Sequence, residues 1–138
     1  MEETLAALTK LGEEGKAEAV RAVTATAQKI RADAIKDIQR GRKTGIVYER
    51  AAGNNLSQLH RASAPGESPA TDTGALVSSI KAWEKGLTAE IGTEIKYGAA
   101  LEFGTLRIEP RPFMRPALES NRDFFAQQLQ AAMDRLTL

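Results

Sequence analysis

The chain has 138 residues, about the size of one ordinary domain. Its 19 Lys and Arg against 18 Asp and Glu leave a net charge of +1, which excludes the one-signed field of a dedicated nucleic-acid clamp or an acidic tail. The absence of cysteine excludes a disulfide scaffold and a thiol nucleophile and counts against structural zinc, and a single histidine excludes every His-pair metal motif.

Residues 2–40 read as one long helix. They contain no proline and are dominated by Ala, Glu, Lys, Gln and Arg. Val20, Val23, Ala27, Ile30, Ala34 and Ile38 recur at steps of three and four and so share one face. Gly12 and Gly15 each cost about 1 kcal/mol relative to Ala in a helix interior, so a break or kink is expected over 11–15. Acidic residues gather early and basic residues late, as the helix dipole favours, and Gly41 is the expected C-cap. The stripe is narrow and Ala-rich. The remaining chain is too short to cover the whole helix, so part of it is expected to await another chain.

Residues 45–62 read as a hairpin, with Ile46-Val47-Tyr48 opposite Leu59-His60-Arg61-Ala62 and a turn drawn from Ala51-Ala52-Gly53-Asn54-Asn55. Residues 63–73 carry two prolines, a glycine and no bulky apolar side chain, and are expected to be an exposed, mobile loop. Asp72 or Thr73 can cap a short helix through Leu76 and Val77. A second hairpin runs from Ile80-Lys81-Ala82-Trp83-Glu84 through Lys85-Gly86 to Leu87, Ala89 and Ile91, which alternate with Thr88 and Glu90. Residues 97–103 read as one or two helical turns and 104–112 as an irregular arm. A last helix runs from about Phe113 to Leu136, with Met114, Leu118, Phe125, Leu129, Ala132, Met133 and Leu136 on its buried face.

The fold class is therefore α+β: a long N-terminal helix, a small antiparallel sheet of two hairpins, short helices, and a C-terminal helix packed on the sheet. It forms a single domain over 1–138, divided into the long helix 1–41, the sheet region 42–112 and the C-terminal helix 113–138. No apolar run approaches the ~18 residues of a membrane span, and the acidic start does not read as a signal peptide, so a soluble, cytoplasmic protein with no membrane partner is expected.

Enzymatic chemistry finds little support. There is no nucleophile elbow, phosphate loop or dinucleotide-binding glycine pattern. His60 has no nucleophile or carboxylate placed by sequence to orient it, and catalysis needs such a constellation. Neither a cofactor nor a metal is expected. A nucleic-acid reading has more behind it. Residues 40–61 hold five bases, Arg40, Arg42, Lys43, Arg50 and Arg61, against the single acid Glu49. They could contact phosphates, or they could simply answer the dipole of a solvated helix end. Tyr48 is the one stacking aromatic nearby.

The segment that stands out is Tyr97-Gly98-Ala99-Ala100-Leu101-Glu102-Phe103-Gly104-Thr105, followed by Arg107 and by Arg111-Pro112-Phe113-Met114-Arg115-Pro116-Ala117-Leu118. Two glycines let a short apolar helix end sharply. Three prolines within 110–116 stiffen the arm and lower the entropic cost of docking it. Glu102, Phe103, Arg107, Arg111, Phe113 and Arg115 are the candidate assembly residues, the phenylalanines as anchors and the charges fixing register. An ordinary helix start with core aromatics is the competing reading of the same residues.

The two-part run, Glu-Phe-Gly-Thr ending at 105 and Arg-Pro-Phe at 111–113, resembles the signature of the head–tail joining, or neck and tail-completion, proteins of long-tailed bacteriophages. Stretches at 42–48, 60–67 and 71–76 are similar to the same family, and the likeness covers roughly 15–136. The resemblance implies a non-enzymatic α+β subunit of the virion, made in the host bacterial cytoplasm. It further implies a six-fold or twelve-fold ring between the portal complex and the tail tube, with neighbouring neck and tail-tube proteins as partners and DNA passing through the channel without specific binding. A small nucleic-acid-binding module using the 40–61 cluster is the alternative.

Overall fold

The structure, a computed structural model, describes residues 1–41, 43–45, 47–52, 56–65, 67, 69 and 74–137; at 48–52 and 56–60 only the backbone is described. Helix α1 (Glu2–Arg40) runs through Gly12 and Gly15 without interruption, so the expected break does not occur. At 1.5 Å per residue it is about 58 Å long. The end of the last helix meets α1 at Gly15, where a Cβ would stand 3.7 Å from Leu136 Cδ1, an ordinary contact. The expected stripe is the one buried: Ala27, Ile30, Ala34 and Ile38 are covered, as are Ala22 and Thr26, while Val20 and Val23 are half-covered. The Thr26 hydroxyl donates to the Ala22 carbonyl at 2.8 Å, which satisfies it inside the core. Gly41 is the C-cap, but in extended geometry. Its N–H donates to Asp37 O at 2.7 Å, and any Cβ there would collide with that same carbonyl.

Strands β1 (Val47–Ala52) and β2 (Leu56–Arg61) pair antiparallel, with Tyr48 opposite His60; the turn expected within 51–55 lies mostly outside the described residues. Helix α2 (Ala75–Ser79) places Leu76 in the core. Asp72 and Thr73, the expected caps, also lie outside the described residues; Gly74 occupies the N-cap position, with no side-chain cap bond. Strands β3 (Ile80–Lys85) and β4 (Thr88–Thr93) form the second hairpin. Helix α3 is Lys96–Phe103. The α+β class stands, with two refinements: the hairpins remain two separate two-stranded sheets, and the C-terminal helical region packs chiefly along α1.

That region is two helices, α4 (Met114–Ser120) and α5 (Arg122–Leu136), where one was expected. The break falls at buried Asn121, whose amide donates to Asp33 Oδ2 and to the Ala117 carbonyl, both at 2.8 Å. A side chain bonded to the preceding turn and to α1 fixes the bend. It also shifts the helical phase. Phe124 and Gln128 join Leu129, Ala132 and Leu136 of the expected face as covered or half-covered residues of α5, whereas Phe125 and Met133, and Leu118 on α4, are exposed. The outer end is tied by Arg135 Nε to Glu18 Oε2 at 2.6 Å.

The core has two adjoining clusters: Ile38, Leu76, Ile80 and Phe113, and Ile30, Ala34 and Ala117. Each large side chain buried there contributes on the order of 1.5–3 kcal/mol. The loop over 63–73 is less exposed than expected where it is described. Ser63 and Pro69 are buried, and the Glu67 carboxylate accepts from Thr44 N at 2.9 Å, Thr44 Oγ1 at 2.6 Å and Ala64 N at 2.9 Å. A carboxylate bonded to three donors from two segments holds this part of the loop in place.

Candidate assembly surface

The arm at 104–112 is a closed loop. Gly104 turns the chain out of α3 at φ +74°, a conformation that disfavours any side chain. Thr105 N donates to Ile108 O at 2.7 Å, and the Thr105 hydroxyl accepts from Arg107 N at 3.2 Å and Ile108 N at 3.1 Å. At the base, Arg111 N donates to Leu101 O at 2.6 Å. Next to it, the Glu102 carboxylate accepts from Phe113 N at 2.7 Å, Met114 N at 2.9 Å and Arg115 N at 2.9 Å. A carboxylate from α3 thus caps the start of α4, where the helix dipole favours negative charge.

These contacts divide the six candidate residues. Glu102 faces its own chain as a cap. Phe113 is 1% exposed among Ile38, Leu76 and Ile80, so the expectation that it anchors a neighbour is corrected: the ring is intrachain core. Prolines on either side suggested an exposed arm, but the chain turns inward at Phe113 because Glu102 grips its amide. Arg111 is half-buried, with Nε donating to Ser63 O at 3.2 Å. Phe103, Arg107 and Arg115 remain exposed, Phe103 at 72%. Leu106 and Ile108, which the sequence reading missed, are exposed beside them. Two apolar residues between Gly104 and Pro110, in a segment otherwise built for a turn, were the available signal.

Below Phe103 a cavity of about 540 Å³ opens between α1, β4, α3 and α4, lined by Ile30, Ile91, Phe103, Met114, Arg115 and Leu118 among others. A second, of about 320 Å³, shares Ile30, Ala89, Ile91 and Leu118 and extends to Leu87 and Phe125. Together they form one largely apolar groove, which reaches Phe103 and Phe113 on either side of the arm but is lined by none of residues 104–112.

Electrostatics add little chemistry of a catalytic kind. The Asp33 carboxyl is held below its ordinary pKa, first by the Lys29 ammonium at 2.8 Å and then by the Asn121 amide. Burial pushes the Lys43 ammonium down, opposed by the nearby carboxylates of Glu67 and Asp37. Of the expected phosphate-contact set, Arg40 and Arg61 are exposed, Arg61 donating to Gly45 O at 3.3 Å, while Lys43 is half-buried; Arg42 and the Arg50 side chain lie outside the described residues. Among the described residues no group of three or more His, Cys, Asp or Glu could hold a metal ion, and no helix is long and apolar enough to cross a membrane.

A subunit whose distinctive exposed features are a pinned arm, an apolar groove and a projecting helix has the surfaces of a structural, contact-making component. The sequence profile of the HK97-gp10-like family, described as "Bacteriophage HK97-gp10, putative tail-component", matches residues 2–104, and the chain belongs to that family. It is a bacteriophage tail component and, as such, part of the virion. The match spans α1 to α3 and includes Glu102, Phe103 and Gly104; the Arg111-Pro112-Phe113 half of the two-part run lies beyond it. No curated protein and no solved structure matches the chain.

Proposed function

We propose that this chain is a non-enzymatic head–tail connector or tail-completion subunit. It assembles into a ring, six-fold or twelve-fold, that joins the portal complex to the tail tube and lets DNA pass. The observation that carries the reading is the arm. Its base is fixed by four backbone hydrogen bonds, three to Glu102 and one to Leu101, while Phe103 and Leu106 stand in solvent. Apolar side chains on a pre-ordered loop lose little entropy on docking. Docking of an arm onto a different surface of the next copy is head-to-tail, and such contacts close into rings or run on as filaments. A net charge of +1 also suits a channel through which DNA slides, since tight phosphate binding would retard it.

Light scattering across micromolar to millimolar protein, with electron microscopy of the large species, tests this. Closed rings are expected, and Phe103→Ser with Leu106→Ser should weaken assembly at least tenfold while the dilute melting temperature is unchanged. A wild-type chain that stays monomeric throughout refutes the reading. The nucleic-acid alternative has less support, because the Lys43 charge is answered by Glu67 and Asp37. Salt-sensitive, submicromolar DNA binding lost in Arg40→Ala and Arg61→Ala would reverse the order.

A further inference from the structure

The N-terminal third of α1 has no tertiary cover. Residues 1–14 are all exposed, and the first half-covered position is Gly15, where α5 ends. Leu5, Leu8 and Leu11 are 65%, 61% and 49% exposed. They repeat at steps of three, so they follow one side of the helix, rising about 9 Å from first to last. Three leucines on one side of a regular helix are the anchor pattern of a helix that lies in an apolar groove. This chain carries such a groove, but its own tip cannot reach it. The groove begins on α1 at Val23 and Ile30, and Leu8 lies about 33 Å upstream of Ile30 along an unbroken helix.

Charge identifies the occupant further. The tip carries Glu2, Glu3, Glu13 and Glu14 against Lys10 alone. Three charged residues line the groove: the exposed Arg115 forms no ion pair among the described residues, whereas Glu102 is bonded to the α4 backbone and Glu119 to Arg122 at 3.3 Å. An acidic, leucine-bearing helix therefore meets an apolar groove whose one unpaired charge among the described residues is basic.

We propose that the tip of α1, residues 2–14, docks in the apolar groove of a second copy, with Leu5, Leu8 and Leu11 seated against Leu87, Leu118 and Phe125 and the glutamates of the tip facing Arg115. This rests on the self-assembly proposed above and names its two surfaces. The contact is heterologous, since tip and groove are different parts of the chain, so every copy offers one of each.

The absence of native cysteine makes the test direct. The full chain carrying both Leu8→Cys and Leu118→Cys is oxidised mildly beside each single variant. A covalent ladder from the double variant, and none from either single variant, is expected. In parallel, Leu8→Gln and Leu118→Gln, both at exposed positions, should each weaken self-association at least tenfold with unchanged melting temperature. Mixed together they should form a one-to-one dimer that grows no further, through the one intact tip and the one intact groove. If the wild-type chain assembles but the double variant gives no ladder and Leu8→Gln assembles normally, this docking is wrong while the ring reading survives. A covalent dimer from Leu8→Cys alone would mean that tip meets tip, and protection of the tip only by a different virion protein would mean that the occupant is not a second copy; both overturn the proposal. A wild-type chain that never associates overturns both readings.

Discussion

Glu102 joins three peptide N–H groups of α4 to α3, and removing it has a calculable consequence. Truncating an ordinary N-cap costs about 0.5–2 kcal/mol. Here the acceptor is charged, its hydrogen bonds are 2.7–2.9 Å long, and one donor belongs to fully buried Phe113. Hydrogen bonds to charged groups contribute about 1.5–3 kcal/mol, and a buried N–H left without an acceptor costs about 1–3 kcal/mol. The three bonds share one side chain and do not add independently, so Glu102→Ala should destabilise the fold by about 2–4 kcal/mol. For a chain of this size that corresponds to a fall in melting temperature of about 8–15 °C. Glu102→Gln retains one carbonyl oxygen and should lose roughly half as much. Thermal melts followed by circular dichroism at dilute concentration read the effect without interference from assembly. Limited proteolysis should at the same time show new cleavage within 104–112. A Glu102→Ala chain that melts within about 1 °C of the wild type would refute the cap argument, because a half-buried carboxylate with three good bonds to a buried helix start cannot be removed for nothing.

Phe113→Ala should cost about 3–5 kcal/mol of fold stability, measured by urea unfolding and independent of protein concentration, since the ring sits in the intrachain core. Asp33, whose folded-state pKa is depressed by Lys29 and Asn121, contributes stability that is fully present above the ordinary carboxylate range and is lost as pH falls through the depressed value. Asp33→Asn should therefore flatten the decline of the urea midpoint below about pH 4, and an unchanged acid slope would show that the carboxylate is not coupled to folding.

Elements governed by short-range pattern were legible in the sequence. The 20–38 stripe is the buried face of α1, and the alternation over 88–91 falls in strand β4, with Leu87 left exposed in the turn before it, because each depends on neighbours within a turn or a strand. Propensity misled at Gly12 and Gly15. Their combined cost of about 2 kcal/mol is smaller than what packing further along the helix supplies. Asn121 gave no warning of a break because its role depends on Asp33, 88 positions away. The candidate surface was half legible for the same reason. Exposure of Phe103 follows from its place at the end of a short helix, but the inward turn of Phe113 is set by Glu102, eleven residues back and on another element.

The arm's two ends are clasped within a few ångströms of each other by Leu101 with Arg111 and by Glu102 with Phe113. The clasp lies inside the subunit, so what spans the gap is a passenger. Doubling the length of such a loop costs only about 0.6 kcal/mol of closure entropy. Residues 105–109 can thus be lengthened, shortened or rewritten with little effect on the scaffold, which makes them the natural position at which related subunits acquire different mating surfaces while keeping one shared body.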